Sequence, residues 1–283
     1  MKTLKVFPAL MLMLLLNCVI TAQETKVMFI GNSYTGANNL PNTFKELALS
    51  AGDSVFVDGS VIGGYTLGYP GQAHLTNPST IEMIQRGYWD FVILQEQSQM
   101  PTIPYYRDGY TYPAAAALNT IVQENNACAQ TVFFMTWGRK MGGQQCIGSY
   151  CSPVFVDYFH MQDSLETAYM NMTLTNDAMC APVGISWSNS IANGDPIELF
   201  DTDGAHPSLA GTYLAACTFY AAIFLKTPVG LGYTGGLSQP DAAYLQQIAA
   251  TTMADPVAWN IFPPEPVTAS FTYELVGTFA TFY

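Results

Sequence analysis

The sequence predicts an α/β protein in which helices cover both faces of a parallel sheet. Short apolar runs rich in Val, Ile and Phe alternate along the chain with longer amphipathic segments. This alternation is typical of buried parallel strands joined by crossover helices. Of the 283 residues, 49% are hydrophobic and 11% are charged. That composition is sufficient for one large hydrophobic core and differs from that of disordered chains.

Five strands and four helices are expected along the chain. We predict strands at residues 26–30, 55–62, 91–94, 131–136 and 183–187, and helices at residues 43–50, 110–124, 156–172 and 208–225. About five parallel strands separated by helices are typical of a flavodoxin-like, doubly wound sheet. In such a sheet the functional groups collect at the carboxyl ends of the strands.

The first 22 residues are expected to be a secretory signal peptide. Lys2 and Lys5 give a positive start, residues 9–20 form an apolar run, and Thr21-Ala22 offers a small-residue cleavage site. The apolar run is too short for a comfortable membrane span, so no integral membrane segment is expected after cleavage. We therefore predict a secreted protein, located in the periplasm, at the cell surface or outside the cell.

The C-terminal end of the sequence is predicted to lie outside the main domain, which we place at residues 23–259. A proline-rich linker is expected at residues 260–267, because the run Phe262-Pro263-Pro264-Glu265-Pro266 suits neither a helix nor a central strand. Residues 268–283 alternate small, polar and aromatic side chains as an antiparallel strand pair would. They resemble the opening of a PKD-type β-sandwich module, which would make this chain a truncated piece of a longer protein.

The net charge of −12 disfavours binding partners that are themselves strongly negative. A strongly negative surface repels the phosphate backbone of nucleic acids and the headgroups of anionic membranes. Neither is therefore expected as a partner, and neutral substrates suit the surface better. The oligomeric state is not indicated by the sequence.

The cysteines left after signal cleavage are expected to be structural. Cys146 and Cys151 bracket four residues of a loop and could close a short disulfide ring. Cys128 and Cys180 each precede a predicted strand, so a bridge between them at one end of the sheet is also possible. Cys217 lies in a long apolar segment and is predicted to be a buried core residue. No Cys-x-x-Cys pair or His/Cys cluster occurs, so no metal site is predicted.

A serine follows the first predicted strand directly, in Gly31-Asn32-Ser33, and a helical pattern begins near Pro41. A side chain at this position is exposed at the carboxyl edge of the sheet beside free backbone N–H groups. Ser33 is therefore a candidate nucleophile. The alternative is that Ser33 only caps a turn, since Ser and Asn favour turns for local hydrogen bonding.

A second group of polar residues, Asp203 and His206, lies just before the last long apolar helix. Asp and His three residues apart can hydrogen-bond, so that the carboxylate fixes the imidazole tautomer while the other ring nitrogen faces a nucleophile. Pro207 at the expected helix start would fix the exit of this loop. His160 is expected to be a surface or packing residue, and His74, in a Gly/Pro-rich loop, is kept as a candidate substrate-binding residue.

Taken together, the block Gly-Asn-Ser-Tyr-Thr after the first strand and the block Asp-x-x-His before the last helix resemble the first and last sequence blocks of SGNH (GDSL) hydrolases. A Leu-Gln-Glu-Gln-Ser stretch followed by Met-Thr-Trp-Gly resembles one subgroup of that superfamily. The similarity covers residues 27–230. It implies the SGNH hydrolase fold and a serine esterase that needs no cofactor, with Ser33, Asp203 and His206 as its catalytic triad.

The resemblance also assigns an oxyanion hole, formed by the N–H of Ser33, the N–H of Gly64 and the side-chain amide of Gln97. Gly64 is matched through the segment at residues 62–66, where a glycine lets the backbone approach the substrate. The third block departs from the usual Gly-x-Asn-Asp, because Gln97 stands at the position of the asparagine. Gln95 is the alternative donor if the strand ends earlier, and a third possibility is that Glu96 points into the site.

The remaining candidate residues concern support and substrate. Asn32 stands where many relatives carry aspartate and is expected to hold the nucleophile loop. Tyr34 and Trp137 are candidates for substrate binding, together with further tyrosines of the loops, although Trp137 could instead belong to the core. We expect a small-molecule or polysaccharide ester as substrate, and deacetylation of a carbohydrate as the reaction. The alternatives are a non-catalytic carbohydrate-binding or adhesion protein on the same fold and a metal-dependent hydrolase.

Overall fold

The computed structural model describes residues 24–194 and 197–262, together with the backbone of residues 273–276 and 279–282. The predicted signal peptide at residues 1–22 lies outside the described residues, as does the greater part of the predicted linker. The strands are β1 (Thr25–Gly31), β2 (Val55–Val61), β3 (Phe91–Leu94), β4 (Gln130–Phe134), β5 (Gly143–Ile147), β6 (Tyr150–Phe155), β7 (Met179–Ala181), β8 (Tyr273–Val276) and β9 (Phe279–Phe282). The α-helices are α1 (Ser33–Gly36), α2 (Leu40–Ser50), α3 (Pro78–Gln85), α4 (Pro104–Tyr106), α5 (Tyr112–Asn125), α6 (Tyr158–Thr175), α7 (Val183–Ala192), α8 (Leu209–Phe224) and α9 (Gln239–Thr252).

The central sheet has five strands in the order β2-β1-β3-β4-β7, and every neighbouring pair is parallel. This confirms the predicted doubly wound sheet. The strand order reverses at β1, whose neighbours are β2 and β3. The crevice beside such a reversal, outside the carboxyl ends of the strands, is where ligands bind in open α/β sheets.

The alternation of side chains along β1 shows why the sheet is covered on both faces. Val27 and Phe29 point into one hydrophobic cluster, whereas Met28 and Ile30 point into the other. Helices α2, α8 and α9 contribute to the first cluster, and helices α3, α5 and α6 to the second. Because successive residues are apolar on both faces, β1 is a continuous apolar run.

The predicted strand at residues 183–187 is wrong, because this segment begins helix α7. The fifth strand of the sheet is β7, three residues long, which pairs with the end of β4. Pro182 follows it directly, and α7 begins at the next residue. Gly184 lets α7 approach the sheet closely, since a Cβ there would lie 2.3 Å from the carbonyl O of Thr136. A short apolar run that is buried on every side does not distinguish strand from helix.

The apolar patterns do not predict α3, α9 or the β5–β6 hairpin. Both helices nevertheless carry local start signals. Ser238 caps α9 by accepting from the N–H of Asp241, and Asn77 caps α3 in the same way; each helix also has proline in its first turn. Caps followed by proline are therefore the signal that could have located them.

One of the two predicted disulfide bridges is present in the structure, and the other is not. Cys146 and Cys151 form a disulfide that closes the tip of the β5–β6 hairpin, which confirms the predicted ring. The bridge between Cys128 and Cys180 is wrong, because Cys128 is exposed and Cys180 is buried within β7, each as a free thiol. Cys217 is buried in α8, as predicted.

The chain beyond the main body contains an antiparallel pair, in which β8 lies against β9. This is the pairing that the alternation at residues 268–283 predicts, while the assignment to a PKD-type module stays a prediction. No helix among the described residues is both long enough and apolar enough to cross a membrane.

Candidate active site

Ser33 lies where β1 passes into α1, at the carboxyl edge of the sheet. Asn32 caps α1, because its side-chain Oδ1 accepts from the N–H of Tyr34 at 3.1 Å. Its Nδ2 donates to the carbonyl O of Tyr65 at 2.8 Å, and its backbone N–H donates to Oε1 of Gln95 at 2.9 Å. Asn32 thus ties the serine's loop to the exits of β2 and β3, which is the supporting position that we expect for it.

The structure brings the side chains of Ser33, His206 and Asp203 together in a hydrogen-bonded chain. The Oγ of Ser33 lies 2.9 Å from Nε2 of His206, and Nδ1 of His206 lies 2.5 Å from Oδ2 of Asp203. The carboxylate can only accept from Nδ1, so the ring proton belongs there in the neutral imidazole. Nε2 is then free to accept the hydroxyl proton of Ser33.

Hydrogen bonds within the loop that carries His206 fix the conformation of this loop. Oδ1 of Asp203 accepts the N–H groups of Ala205 and His206, each at 2.9 Å. The N–H of Asp201 donates to the carbonyl O of His206 at 2.8 Å. Ser208 caps α8, which therefore begins at residue 209, one residue after the predicted start at residue 208. The carboxylate of Asp203 thus orders the loop as well as the imidazole.

The electrostatics of this loop keep Asp203 ionised. Desolvation raises the pKa of Asp203, but hydrogen bonds from the ring and the N–H of His206 and from the N–H of Ala205 outweigh it and lower that pKa to about 2. The group is therefore a carboxylate at neutral and mildly acidic pH. Asp203 therefore remains a hydrogen-bond acceptor for the imidazole of His206.

The triad lies on an open surface, since the side chains of His206 and Asp203 are 39% and 49% exposed. A cavity of about 800 Å³ lies elsewhere, at the amino ends of β3 and β4, where Phe91 and Gln130 line it. Because ligands of doubly wound sheets bind at the carboxyl ends of the strands, this cavity is at the wrong edge for the triad. The candidate site can therefore admit a bulky substrate from solvent.

The two backbone N–H groups of the predicted oxyanion hole, those of Ser33 and Gly64, have no acceptor among the described residues. Ser33 is the first residue of α1, and an N–H at that position has no acceptor within its helix. Gly64 is exposed and has a φ of +75°, a conformation that favours glycine. Within the described part of the chain, its N–H donates to no protein group. Both groups are available to an incoming oxyanion.

Gln97 is held by the turn that follows it. Its Oε1 accepts from the N–H of Gln99 at 2.8 Å and from the N–H of Met100 at 3.1 Å. Its Nε2 donates to Oε1 of Gln99 at 3.2 Å. An amide carries two N–H donors, so one hydrogen of Gln97 has no acceptor among the described residues. The bonds to Oε1 fix the orientation of the amide and leave this hydrogen of Nε2 free to donate.

The two alternatives at this block are corrected by the structure. Gln95 is fully buried; its Oε1 accepts from Asn32 and from Thr35, and its Nε2 donates to the carbonyl O of Glu96. Its full burial keeps the second hydrogen of this amide out of reach of a substrate. Glu96 is also fully buried and points into the protein, where Leu67, Gln97 and Thr111 donate to its carboxylate. Desolvation raises the pKa of Glu96 to about 7, although these hydrogen bonds act against the shift.

The aromatic residues proposed to bind substrate lie beneath the site instead. Tyr34 and Trp137 are 3% and 1% exposed, and their rings stack at 4.9 Å. Trp137 also stacks on Trp187 at 4.0 Å and donates from Nε1 to the carbonyl O of Ala205 at 2.9 Å. This buried column supports the loop of His206, so a direct contact of either residue with substrate is corrected to a supporting position.

His74 is likewise buried, and its substrate-side position is corrected. Its Nε2 donates to the carbonyl O of Gly31 at 3.0 Å, and its Nδ1 lies 3.1 Å from Oγ1 of Thr80. Desolvation lowers the pKa of His74 to about 4, partly offset by the bond to Gly31. A neutral imidazole therefore braces the end of β1 from within the protein.

Arg139 is not singled out by the sequence motifs, whereas Tyr105 and Tyr150 are among the loop tyrosines expected to offer aromatic surface to a substrate. Arg139, directly after Trp137-Gly138, reaches the exit of β3 by donating from Nη2 to Oγ of Ser98 at 3.2 Å. Tyr105 and Tyr150 are 43% and 41% exposed, and their rings stack at 3.5 Å. The scarcity of basic residues in an acidic chain is the signal that could have drawn attention to Arg139.

No protein-family model matches the sequence, and no curated protein matches it either. Solved structures do match. A DUF4886 family protein from Bacteroides uniformis aligns with a TM-score of 0.67 at 18% identity, covering 83% of this chain and 96% of that one. A proposed SGNH hydrolase from Slackia heliotrinireducens aligns with a TM-score of 0.53 at 26% identity, covering 70% of this chain and 97% of that one.

These similarities confirm the resemblance at the level of the fold. The chain has the SGNH hydrolase fold, in which a five-stranded parallel sheet is flanked by helices. The two matched structures are covered almost completely by this chain. At 18% identity the Bacteroides uniformis structure shows the shared fold alone, so the chemistry has to be inferred from the site itself.

Proposed function

We propose that the protein is a secreted serine esterase that hydrolyses carboxylic esters through Ser33, His206 and Asp203. The observation that carries the proposal is the hydrogen-bonded chain from Oγ of Ser33 through the imidazole to the carboxylate, at 2.9 and 2.5 Å. A hydroxyl, a base and an orienting carboxylate in this geometry are the parts of an acyl-transfer site. The similarity to a proposed SGNH hydrolase supports the same class of reaction.

In the first half of the reaction, His206 accepts the proton of Ser33 as Oγ attacks the ester carbonyl carbon. The carbonyl oxygen becomes an oxyanion, which the N–H groups of Ser33 and Gly64 and the free amide hydrogen of Gln97 stabilise. Asp203 stabilises the imidazolium. His206 then donates the proton to the alcohol oxygen, the alcohol departs, and Ser33 is left acylated.

In the second half, a water molecule takes the place of the alcohol. His206 accepts a proton from this water as its oxygen attacks the acyl carbon of Ser33. The carbonyl oxygen again occupies the oxyanion hole. When the intermediate collapses, His206 returns the proton to Oγ, the carboxylic acid is released, and the triad is restored.

Within this class of reaction we propose a carbohydrate ester, such as an acetylated glycan, as the substrate. The triad is open to solvent, and the stacked, exposed rings of Tyr105 and Tyr150 lie on α4 and on the β5–β6 hairpin, which follow the carboxyl ends of β3 and β4. Aromatic rings with a polar hydroxyl suit contacts that are partly apolar and partly wet. The disulfide at Cys146 and Cys151 fits export to an oxidising compartment.

The test of the proposed function is turnover of p-nitrophenyl acetate by Ser33→Ala. Removal of the nucleophile is expected to lower kcat by about 10³-fold or more. Ser54→Ala is the matched control, because Ser54 is exposed and precedes β2 at the opposite edge of the sheet; it should retain full turnover. Equal activity of Ser33→Ala and the wild type would exclude Ser33 as nucleophile. If the wild-type protein binds glycans but does not hydrolyse p-nitrophenyl acetate, a carbohydrate-binding protein is favoured. If a chelator abolishes the activity, a metal-dependent hydrolase is favoured.

A further inference from the structure

Arg139 is a cation beside the proposed triad, and within the described part of the chain it has no acidic partner. Among the described residues, Arg86 pairs with Asp58 and Arg107 with Asp108, but no carboxylate lies within 4.0 Å of the Arg139 guanidinium. Its described side-chain hydrogen bond goes to the neutral hydroxyl of Ser98 at 3.2 Å. A guanidinium has five N–H donors, so most of its binding capacity is unused.

The position of Arg139 is fixed from two sides, and both sides belong to the site. The N–H of the next residue, Lys140, donates to the carbonyl O of Gly204 in the triad loop at 3.0 Å. The guanidinium itself reaches Ser98, which follows the proposed oxyanion donor Gln97. Arg139 therefore spans the gap between the loop of His206 and the exit of β3.

The electrostatics of Tyr34 agree with this position. Desolvation raises the pKa of Tyr34, and the positive charge of Arg139 is the largest influence that opposes the rise. The ring of Tyr34 also packs edge-on against the imidazole of His206, with ring centres 5.2 Å apart. The guanidinium thus acts electrostatically on a side chain that contacts the triad directly.

An unpaired arginine is unexpected in a chain with this composition. Asp and Glu number 21 and Lys and Arg number 9, so acidic partners are in excess. A half-buried guanidinium loses part of its hydration, which a bidentate hydrogen bond to a carboxylate replaces. The planar fork of arginine matches a carboxylate better than the ammonium of lysine does. A group that the described residues do not supply would complete this site.

We propose that Arg139 binds a carboxylate of the substrate, so that the preferred ester carries a single negative charge. The inference rests on the proposed esterase function and narrows its substrate class. A carboxylate on the alcohol side corresponds to an acylated uronic acid, and a carboxylate on the acyl side to a hemiester of a dicarboxylic acid. The net charge of −12 disfavours polyanions through long-range repulsion. A single carboxylate at hydrogen-bond distance is held by contact instead.

The experiment compares matched esters. The first pair is the monoacetate of methyl glucuronoside against that of methyl glucoside, which differ in a carboxylate at C6. The second pair is p-nitrophenyl hemisuccinate against p-nitrophenyl acetate. We expect the wild type to prefer the acidic member of one pair in kcat/KM, and Arg139→Gln to reduce this preference about tenfold or more, as loss of a charge-assisted hydrogen bond would. The pair affected identifies the side of the ester that carries the carboxylate.

Arg86→Gln is the matched control. It removes the same charge from an exposed arginine at the end of α3, so it should leave the preference intact. Arg139→Lys should restore part of the preference, because the charge remains without the fork. Melting temperatures of all variants separate a binding effect from misfolding.

Binding to the Ser33→Ala protein, measured by calorimetry, distinguishes failure of this inference from failure of the proposed function. A dissociation constant for the acetylated glucuronoside that rises about tenfold on adding Arg139→Gln supports the carboxylate subsite, even if no ester is turned over. If turnover is observed but neither pair shows a preference that depends on Arg139, the subsite is excluded and the esterase stands. If the double variant binds both acidic esters, the acetylated glucuronoside and p-nitrophenyl hemisuccinate, as tightly as Ser33→Ala does, the inference is overturned.

Discussion

At the scale of single residues, the third sequence block contains two glutamines, Gln95 and Gln97, whose positions in the fold give them different roles. Gln95 and Gln97 carry the same amide, yet the structure gives them different tasks. Gln95 is fully buried and bonded to Asn32, to Thr35 and to the carbonyl O of Glu96, whereas the half-buried Gln97 keeps one amide hydrogen without an acceptor among the described residues. The spacing alone left both open as oxyanion donors. The burial of Gln95 favours Gln97.

Gln97→Glu tests the proposed oxyanion donor. The new carboxylate keeps an acceptor for the N–H groups of Gln99 and Met100, so the turn should survive, but the donor is lost. We expect kcat/KM for p-nitrophenyl acetate to fall about 10²- to 10³-fold, with a small change in melting temperature. Steady-state kinetics and thermal unfolding measure the two effects.

The control for the added negative charge is Gln85→Glu, since Gln85 is exposed at the end of α3. It should behave as the wild type. If Gln97→Glu also kept wild-type kcat/KM, the two backbone N–H groups of Ser33 and Gly64 would suffice for the oxyanion, and Gln97 would be only a turn-forming residue.

At the scale of elements, the first turn of α8 packs tightly against the segments that precede and support the loop of His206. Gly211 lies in the first turn of α8, five residues after His206. A Cβ there would lie 2.3 Å from the carbonyl O of Leu199 and 2.5 Å from Cζ2 of Trp187. The segment before the triad loop and the aromatic column beneath it therefore meet the helix at a point that accepts no side chain.

Gly211→Ala is expected to lower the free energy of unfolding by about 1–3 kcal/mol through overpacking, and to lower kcat because the displaced segment leads into the triad loop. Urea unfolding and p-nitrophenyl acetate turnover measure these effects. Gly109→Ala is the matched control, because a Cβ at Gly109 meets no atom within 4 Å. It should be neutral or stabilise the helical turn by up to about 1 kcal/mol. Equal unfolding curves for the two variants would contradict the packing that we describe.

At the scale of the whole molecule, two buried titratable groups impose opposite dependences of stability on pH. Burial raises the pKa of Glu96 from 4.5 to about 7, so its contribution is complete below pH 4.5 and is lost as the pH rises through 7. Burial lowers the pKa of His74 from 6.5 to about 4. Its contribution is complete above pH 6.5 and is lost as the pH falls through 4.

Each group changes the free energy of unfolding by about 3 kcal/mol over its window, at roughly 1.36 kcal/mol per pKa unit. Between pH 4.5 and 6.5 the contributions of Glu96 and His74 oppose each other and partly cancel. Glu96→Gln keeps a neutral side chain that can still accept from Leu67 and Gln97. We expect this variant to become more stable than the wild type as the pH rises towards 7, and its stability to increase with pH between 4 and 6.5.

Urea unfolding in buffers across this pH range measures the prediction. Glu124→Gln removes the same charge from an exposed glutamate and should follow the wild-type profile. Parallel profiles for Glu96→Gln and the wild type would mean that Glu96 does not change its proton occupancy on folding.

The sequence by itself determined the features that depend on local pattern. The doubly wound sheet follows from the alternation of apolar and amphipathic segments, because strands buried on both faces must be apolar throughout. Ser33, Asp203 and His206 became candidates through residue type, spacing and the resemblance to SGNH hydrolases, all of which are read from short stretches of sequence. The ring closed by Cys146 and Cys151 is local for the same reason.

Only the tertiary structure decided what depends on distant partners. Residue type does not state whether Tyr34, Trp137 and His74 face the solvent or the core, and the packing of other segments over them buries all three. The same holds for Arg139, whose lack of an acidic partner among the described residues emerges only when loops far apart in the chain meet. The burial of a side chain and its ion pairing depend on segments that are distant in sequence, so the sequence alone does not determine them.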